Sequence, residues 1–354
     1  DLDFHYTTLT PRLPEYGMDY DDIRILNVDA RVENFSVVKG AVRGDIVRFA
    51  ADERSGIRID DLSGVMLVDR GVIHVDDLRV VTPYSQLTMP RMHINGESWL
   101  EYKDYINIVE MDIEAENSFI STTDIGYFAP ALRDWGITVR DIDLTYQGTV
   151  DDFEATLRDA SIGENSNLRA TAHITGMPEW RTANYVVGVE NMYLDVDDAR
   201  EILDAVLKTP LPDKVLDIVD RMEWVDMRAT FGGRFDSFRV AGNMNTASGH
   251  VRADVKLAKA KGGRYGINGV VKTSDLELGK LLAVAKAGRV DATINAATVI
   301  GNAQSGGVVG DVNVEVDAFT YAGYTYREIG GVGKIDGNKF YGEVTATDPN
   351  LEFD

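Results

Sequence analysis

Apolar and polar residues alternate along most of this chain with a period of two. In the stretch Leu168–Ile174 the apolar residues occupy the even positions and the polar residues the odd ones. The same alternation recurs in Ile142–Tyr146, Val251–Leu257 and Val312–Ala318. A period of two is typical of β-strands that bury one face and leave the other in water. The pattern therefore predicts a mainly β protein with a mostly antiparallel sheet.

One strand carries a break in this alternation. In Val72–Val81, Ile73 and Val75 share one phase, whereas Leu78 and Val80 fall in the other. The two adjacent aspartates at 76 and 77 separate the phases. An extra residue that shifts the phase by one indicates either a β-bulge or a turn at this point.

Helical patterns are few and short. Ser121–Trp135 begins with capping residues, and Asp197–Leu207 is the clearest amphipathic helix, with acidic residues near its N-terminus. Pro212–Val219 predicts a second short helix directly after it. Ser274–Ala285 predicts another helix, with Ser274 as its N-cap and Gly288 as its end.

These helical patterns start near residues 123, 197 and 275, and each is followed by a similar strand. The regular spacing indicates a degenerate repeat of several strands plus one capping helix. We expect a strand-rich segment over residues 1–120 and the repeats over residues 121–354, which continue the same sheet as a single elongated unit. The abrupt ends of the chain are interpreted as those of a piece of a longer protein.

Composition narrows the possible functions. The formal charge is −22, from 58 acidic and 36 basic residues, and 44% of the residues are hydrophobic. The excess of acidic residues disfavours nucleic acid as a partner, because phosphate binding requires a basic surface. The chain contains no cysteine, which excludes disulfides, thiol catalysis and cysteine-bound metals. No apolar stretch is long enough to cross a membrane as a helix.

Candidate chemistry is sparse. The histidines at 5, 74, 93, 173 and 250 are scattered, and no acidic partner recurs at metal-ligand spacing. Adjacent aspartates such as those at 76–77 and 197–198 are more typical of turns and helix caps than of a catalytic pair. The glycine-rich stretch 330–334 lacks the Ser or Thr and the helix of a phosphate loop. We therefore predict no catalytic residues, no metal and no cofactor.

Several short motifs resemble one family when they are taken in order. Residues 52–59 contain a Glu-x-Ser-Gly-aliphatic step, and Thr82 and Ser85 form a Thr-x-x-Ser step before the first helix. The closing stretches 321–326, 333–342 and 348–350 continue the likeness. Together they resemble TamB-type translocation and assembly module proteins of the Bacteroidota, within the AsmA-like superfamily.

This resemblance implies an elongated, curved sheet that is open along one side, a β-taco-like trough with an apolar inner face. It also implies a periplasmic location in a Gram-negative bacterium, an inner-membrane anchor, and an outer-membrane barrel partner that binds regions outside this chain. The implied function is phospholipid transport between the membranes or support of outer-membrane protein assembly. Acyl chains of phospholipids would be the ligands.

The residues give independent support for an apolar groove. Three helices of about a dozen residues are too few to cover so many half-apolar strands. The sheet therefore either closes on itself or leaves an apolar face for a ligand. The groove candidates would form an ordinary closed core if the sheet closed on itself. They are Leu144, Tyr146, Leu168, Ile174, Val251, Val255, Leu257, Val312 and Val316.

Two alternatives to a lipid conduit remain open at this level. One is a structural or adhesive β-repeat protein of the cell surface with closed cores and no ligand. The other is a glycan-active enzyme, which would require aromatic and carboxylate side chains on one face, whereas the four tryptophans are spread along the chain.

Overall fold

The structure, a computed structural model, describes residues 3–7, 17–19, 22–207, 211–260, 264–300, 308–337 and 339–351. It is mainly β, with 67% of residues in strands and 12% in helices. The strands are antiparallel and form an open sheet, accompanied by a few short helices. The predicted fold class is therefore confirmed. The chain divides into two compact units, of which the first comprises residues 1–178 and 198–210 and the second residues 179–197 and 211–354.

The described residues of the first unit form ten strands, each hydrogen-bonded to the next in chain order. They are β1 (Phe4–Thr7), β2 (Asp22–Val38), β3 (Ala41–Glu53), β4 (Arg58–Asp69), β5 (Val72–Val81), β6 (Gln86–Asn95), β7 (Glu110–Ser121), β8 (Thr138–Gly148), β9 (Asp152–Ile162) and β10 (Ser166–Thr175). The helices whose residues lie wholly or mostly in this unit are α1 (Thr122–Ile125), α2 (Val196–Val206) and the 3-10 helices Glu101–Asp104 and Pro130–Trp135.

Nine strands, which again pair consecutively, lie in the part of the second unit that the structure describes. They are β11 (Asn184–Asp195), β12 (Trp224–Arg234), β13 (Ser237–Thr246), β14 (Gly249–Lys259), β15 (Tyr265–Glu277), β16 (Ala287–Ile300), β17 (Val308–Tyr321), β18 (Tyr324–Gly337) and β19 (Lys339–Ala346). Its helices are α3 (Asp213–Met222) and α4 (Leu278–Leu282).

Tight turns join many of these strands. In the hairpins at 39–40, 70–71 and 322–323, both central residues have a positive φ, between 40° and 97°. Two consecutive positive φ angles define the type I′ turn, whose twist matches that of the flanking strands. Glycine is the second central residue in all three hairpins because it adopts this conformation without steric cost.

The five alternating stretches singled out in the sequence all lie within strands, namely β5, β8, β10, β14 and β17. At the two adjacent aspartates of β5, where the sequence indicates a bulge or a turn, the structure has a bulge. Asp77 has a φ of 50°, and the register between β4 and β5 shifts between Ser63 and Val65. Val75 and Leu78, on either side of the bulge, are both buried.

The helices agree with the sequence in position more than in length. Ser121 caps α1 by accepting a hydrogen bond from the Thr123 amide, as predicted, but α1 ends at Ile125. The prediction of one helix over Ser121–Trp135 is wrong, because Pro130 starts a separate 3-10 helix. A proline ring at this position prevents a continuous α-helix. The helix predicted over Asp197–Leu207 is α2, and that over Pro212–Val219 is α3.

The predicted helix Ser274–Ala285 is much shorter in the structure. Ser274 remains in β15, Glu277 pairs with Arg289 of β16, and α4 begins only at Leu278. The helix ends at Ala283, whose φ is 54°, rather than at Gly288. Strand pairing overrides the helical pattern here, because Ser274 pairs with β14 while Leu276 and Glu277 pair with β16. This pairing engages the backbone of these residues in the sheet.

From β7 to β15, a helix follows every fourth strand: α1 follows β7, α2 follows β11 and α4 follows β15. The repeat indicated by the sequence is thus four strands plus a helix. The predicted boundary between residues 120 and 121, and the description of the chain as one elongated unit, stay predictions.

Candidate functional site

Directly opposed residues of antiparallel strands point to the same face of a sheet, so the register defines rows of side chains across each unit. In the second unit, four such rows cross all nine strands on one face. We call this surface the apolar face of the second unit.

From β11 to β19, the first row is Met192, Met227, Met244, Val251, Thr273, Ala292, Val316, Ile329 and Ala346. The second is Val189, Ala229, Gly242, Ala253, Val271, Ile294, Val314, Gly331 and Val344. The third is Val187, Phe231, Val240, Val255, Gly269, Ala296, Val312, Gly333 and Gly342. The fourth is Tyr185, Gly233, Phe238, Leu257, Ile267, Thr298, Gly310, Ile335 and Phe340.

None of these positions carries a charged side chain, and the hydroxyls of Tyr185, Thr273 and Thr298 are the only polar side-chain groups. The Thr273 hydroxyl donates to the Val290 carbonyl and accepts from the Ala292 amide, so the backbone satisfies it. The opposite face differs sharply. Arg239 and Asp254, which lie there on neighbouring strands, form a bidentate ion pair with a 2.6 Å contact from Arg239 Nε.

The apolar face of the second unit remains accessible to solvent. Within its four rows only Thr273, Ala292, Thr298 and Val312 are buried, and most other positions are half-buried. On β19, Phe340 and Val344 are each 43% exposed. A closed core would bury most of these side chains, so this face is not sealed in the way a sandwich core is.

The first unit carries a second apolar face. One row crosses β3 to β10 through Gly44, Met66, Val75, Met92, Ile113, Tyr146, Ala155 and Ala172. A neighbouring row comprises Val42, Val68, Ile73, Ile94, Met111, Gly148, Phe153 and Ile174. A shorter row across β7 to β10 comprises Ala115, Leu144, Leu157 and Ala170. These positions are free of charge as well.

Eight of the nine groove candidates from the sequence lie in these rows. Leu144, Tyr146 and Ile174 belong to the face of the first unit, and the remaining five belong to the face of the second: Val251, Val255, Leu257, Val312 and Val316. Leu168 differs, because the register of β10 shifts between Asn167 and Ala170 and leaves it in the irregular part of the strand.

Tyr146 is the polar member of the first unit's rows. Its hydroxyl donates to the Thr149 carbonyl at 2.6 Å, and its ring stacks on Phe153 with centroids 4.7 Å apart. Removal from water raises the pKa of Tyr146 to about 12. The side chain therefore stays neutral and adds no charge to the apolar face.

Sequence reasoning missed much of both faces. The aligned methionines at 192, 227 and 244, and the glycines at 269, 331 and 333, lie in strands whose alternation is weak. A single strand does not show which residues of its neighbours oppose it. The sequence signal that could have revealed the apolar face on β18 was the run of small and apolar residues at every second position of this strand.

The helix ends are tied to the strands by aspartates. The Asp198 carboxylate, at the start of α2, accepts hydrogen bonds from the amides of Glu164 and Asn165 and from the Ser166 hydroxyl, at 2.7–2.9 Å. Asp124 of α1 accepts from the hydroxyls of Thr82 and Ser85 at 2.6 and 2.5 Å. Each contact joins a helix to a turn between two earlier strands.

Asp348 forms a comparable set of contacts in the second unit. It accepts hydrogen bonds from the Tyr324 hydroxyl and from the amides of Arg327 and Asn350, at 2.8–3.0 Å. The hydrogen bond from the Asn350 amide, together with the bonds from the Tyr324 hydroxyl and the Arg327 amide, holds the pKa of Asp348 below its ordinary value of 3.8.

The pKa of Asp198 is lowered as well. Burial alone would raise it, but the hydrogen bonds from Ser166, Glu164 and Asn165 outweigh this effect.

These lowered pKa values predict a loss of stability in acid. A carboxyl whose folded-state pKa lies below its unfolded-state pKa stabilises the fold above the unfolded value and loses this contribution as the pH falls through the folded value. We expect the difference in unfolding free energy between the wild type and Asp198→Asn to be constant from pH 7 to about pH 5 and to shrink below about pH 4. Urea unfolding of both proteins at each pH measures this difference in free energy. A difference that stays constant down to pH 3 would contradict the lowered pKa of Asp198.

The histidines lie in side-chain pairs on the strands. His93 contacts Asp76 and His173 contacts Asp152, at 2.7 and 2.8 Å, and the rings of His74 and His93 stack with centroids 3.8 Å apart. Among the described residues, no group of three or more His, Cys, Asp or Glu side chains is arranged to hold a metal ion. The absence of enzymatic activity stays a prediction.

Comparison with known proteins identifies no relative. No protein-family model matches the chain, and neither a curated protein nor a solved structure does. Of the helices in the described residues, none combines the length and apolar character needed to cross a membrane.

Proposed function

We propose that this protein binds the acyl chains of phospholipids on its two apolar faces and serves as a conduit for lipid in the bacterial envelope. The observation that carries the proposal is the face of the second unit, where four rows cross nine strands without a charged side chain while staying accessible to solvent.

The size of this face supports a lipid as its ligand. Nine strands spaced by about 4.8 Å extend for about 38 Å across the sheet, and four rows extend for about 20 Å along the strands. The resulting area is on the order of 700 Å², more than the few hundred Å² of the largest apolar patch on a typical soluble monomer. Patches of this size mark a binding surface.

The chemistry of the face suits movement as well as binding. Transfer of each methylene from water to an apolar surface contributes about 0.8 kcal/mol, and it requires no particular orientation. Because the rows offer no charge and few hydrogen-bonding side chains, an acyl chain meets similar surroundings along the face. Lipid is then held by many weak contacts and can slide from one strand to the next.

The wider setting follows from the sequence resemblance and forms part of the proposal. A TamB-type protein would act in the periplasm, with an inner-membrane anchor and an outer-membrane barrel partner, and would move phospholipid or support outer-membrane protein assembly. The alternative of a surface protein with closed cores is disfavoured by the many half-buried apolar positions of the second unit.

Native mass spectrometry with lipid extraction tests the proposal on the chain purified from a bacterial host. We expect bound phospholipid in the wild type and at least about a tenfold loss in Val255→Asp and Val316→Asp, because a carboxylate among acyl chains is strongly unfavourable. Lys256→Asp is the matched control, since Lys256 is exposed on the opposite face.

Urea unfolding of each variant separates loss of ligand from loss of fold. Folded Asp variants without lipid, beside a lipid-bearing Lys256→Asp, would support the proposal. A lipid-free wild type whose Asp variants simply unfold would contradict it and favour a scaffold with closed cores.

A further inference from the structure

The first unit contains an apolar cavity of about 410 Å³ beneath α1. Strands β4 to β7 supply its floor, and α1 with the two residues that follow Gly126 supplies its roof. The aliphatic side chains around it are Ile57, Ile59, Val80, Leu87, Ile120 and Ile125. All six are half-buried rather than fully buried, so the space between them is reached from outside.

Polar contacts at three places hold the roof in position. Asp124 of α1 accepts the hydroxyls of Thr82 and Ser85, which lie in the turn between β5 and β6. The Ser85 hydroxyl also accepts the Ser121 amide at 3.0 Å, and the Tyr127 carbonyl accepts the Met18 amide at 2.7 Å. Because both sides of the roof are tied down, the cavity is a built feature of the unit.

The chemistry of the walls selects the kind of ligand. Among the described residues, no lysine, arginine or histidine lines the cavity, and Asp124 is the one acidic residue there. A phosphate or carboxylate headgroup would find no cation and would meet this carboxylate. Two hydroxyls already engage Asp124 Oδ2, so a polar headgroup gains little from it. An aliphatic chain end needs neither charge nor a hydrogen bond.

We propose that this cavity binds the methyl end of a single acyl chain, which enters tail first while the headgroup stays outside. Phe128 lies at the roof and is 59% exposed, so its aromatic ring both borders the cavity and is accessible from outside. The inference rests on the proposed lipid function. It adds a discrete, saturable binding site that would hold the end of an acyl chain moving along the first unit.

Photo-crosslinking with two hexadecanoic acid probes tests this inference on the whole chain. One probe carries a diazirine at its methyl end, and the other carries it next to the carboxyl group. We expect the methyl-end probe to label peptides containing Leu87, Ile120 or Ile125 in a saturable way, and the carboxyl-end probe to label them at least about fivefold less.

Variants that fill the cavity make the test specific. Ile120→Trp is expected to reduce labelling at Leu87 at least about fivefold, and Leu87→Phe provides a milder filling in case the larger residue disturbs folding. Gln147→Trp is the matched control and should leave this labelling in place, since Gln147 is exposed on the face of β8 opposite to the apolar rows.

Each other outcome is decisive. Methyl-end labelling confined to the rows of the apolar faces, for example at Ile94 or Met111, would overturn the cavity site while leaving the proposed function standing. Unsaturable labelling at every position would overturn both. Labelling of the cavity peptides by both probes alike would refute the tail-first orientation.

Discussion

Replacing Asp198 by alanine is expected to lower the free energy of unfolding by at least about 3 kcal/mol. Its carboxylate is buried and accepts hydrogen bonds from two backbone amides and one hydroxyl of the turn between β9 and β10. Without it, the buried Ser166 hydroxyl and the amides of the exposed residues Glu164 and Asn165 lose their acceptor. Each such loss costs about 1–3 kcal/mol, and it is largest at Ser166, where water cannot replace the carboxylate. Urea denaturation followed by circular dichroism measures the change.

Asp197→Ala is the matched control for this substitution. Asp197 is the neighbouring residue of α2 and is exposed. Its loss should change stability by no more than about 0.5 kcal/mol, as is usual for surface positions. Equal effects of the two substitutions would show that the Asp198 contacts contribute nothing specific.

Replacing Gly233 by alanine is expected to destabilise the second unit by about 2–5 kcal/mol, the sum of backbone strain and steric overlap. Gly233 has a φ of 130°, a conformation that residues with a Cβ rarely adopt. A Cβ there would lie 2.5 Å from the Ser237 carbonyl oxygen and 2.9 Å from the Phe238 Cα. Both atoms belong to the backbone of β13, so relief requires the two strands to separate.

The adjacent Gly232 supplies the control. A Cβ at Gly232 meets nothing within 4 Å, and its φ lies outside the positive range. Gly232→Ala should therefore be neutral or slightly stabilising, since alanine reduces the entropy of the unfolded chain. Thermal unfolding of both variants measures the difference in their stability. A Gly233→Ala variant as stable as Gly232→Ala would refute the close contact between Gly233 and the backbone of β13.

The strands were the most predictable feature because their signal is local. Half-burial of a strand forces alternation within a few residues, as in Val251–Leu257 of β14, where the apolar positions are half-buried and the charged ones exposed. The position of the bulge at Asp77 was predictable for the same reason, since a phase change in one strand is visible without its neighbours.

Helix lengths were less predictable. The stretch Ser274–Ala285 has the composition of a helix, yet its first four residues stay in β15. Local propensity amounts to a few tenths of a kcal/mol per residue, whereas a ladder to β16 satisfies several backbone groups at once. Asp197–Leu207 was correct within one residue because its amphipathic pattern meets no competing strand.

The sequence by itself determined that this chain forms antiparallel strands with one apolar face, where the bulge in β5 lies, and roughly where the helices begin. It also supplied nine groove candidates from the apolar positions of single strands. These features depend on residues that are close in the sequence. The spacing of apolar residues, every second position in a strand and about every 3.6 positions in a helix, therefore indicates them directly.

Only the tertiary structure decided the register that aligns Met192, Met227 and Met244 in one row and places Gly233 against Phe238. It alone also revealed the cavity under α1, whose walls come from residues as far apart as Ile57 and Phe128. The physical reason is that register and cavities depend on how distant strands fit together. That fit is set by the summed contacts of many residues, which no single stretch of sequence encodes.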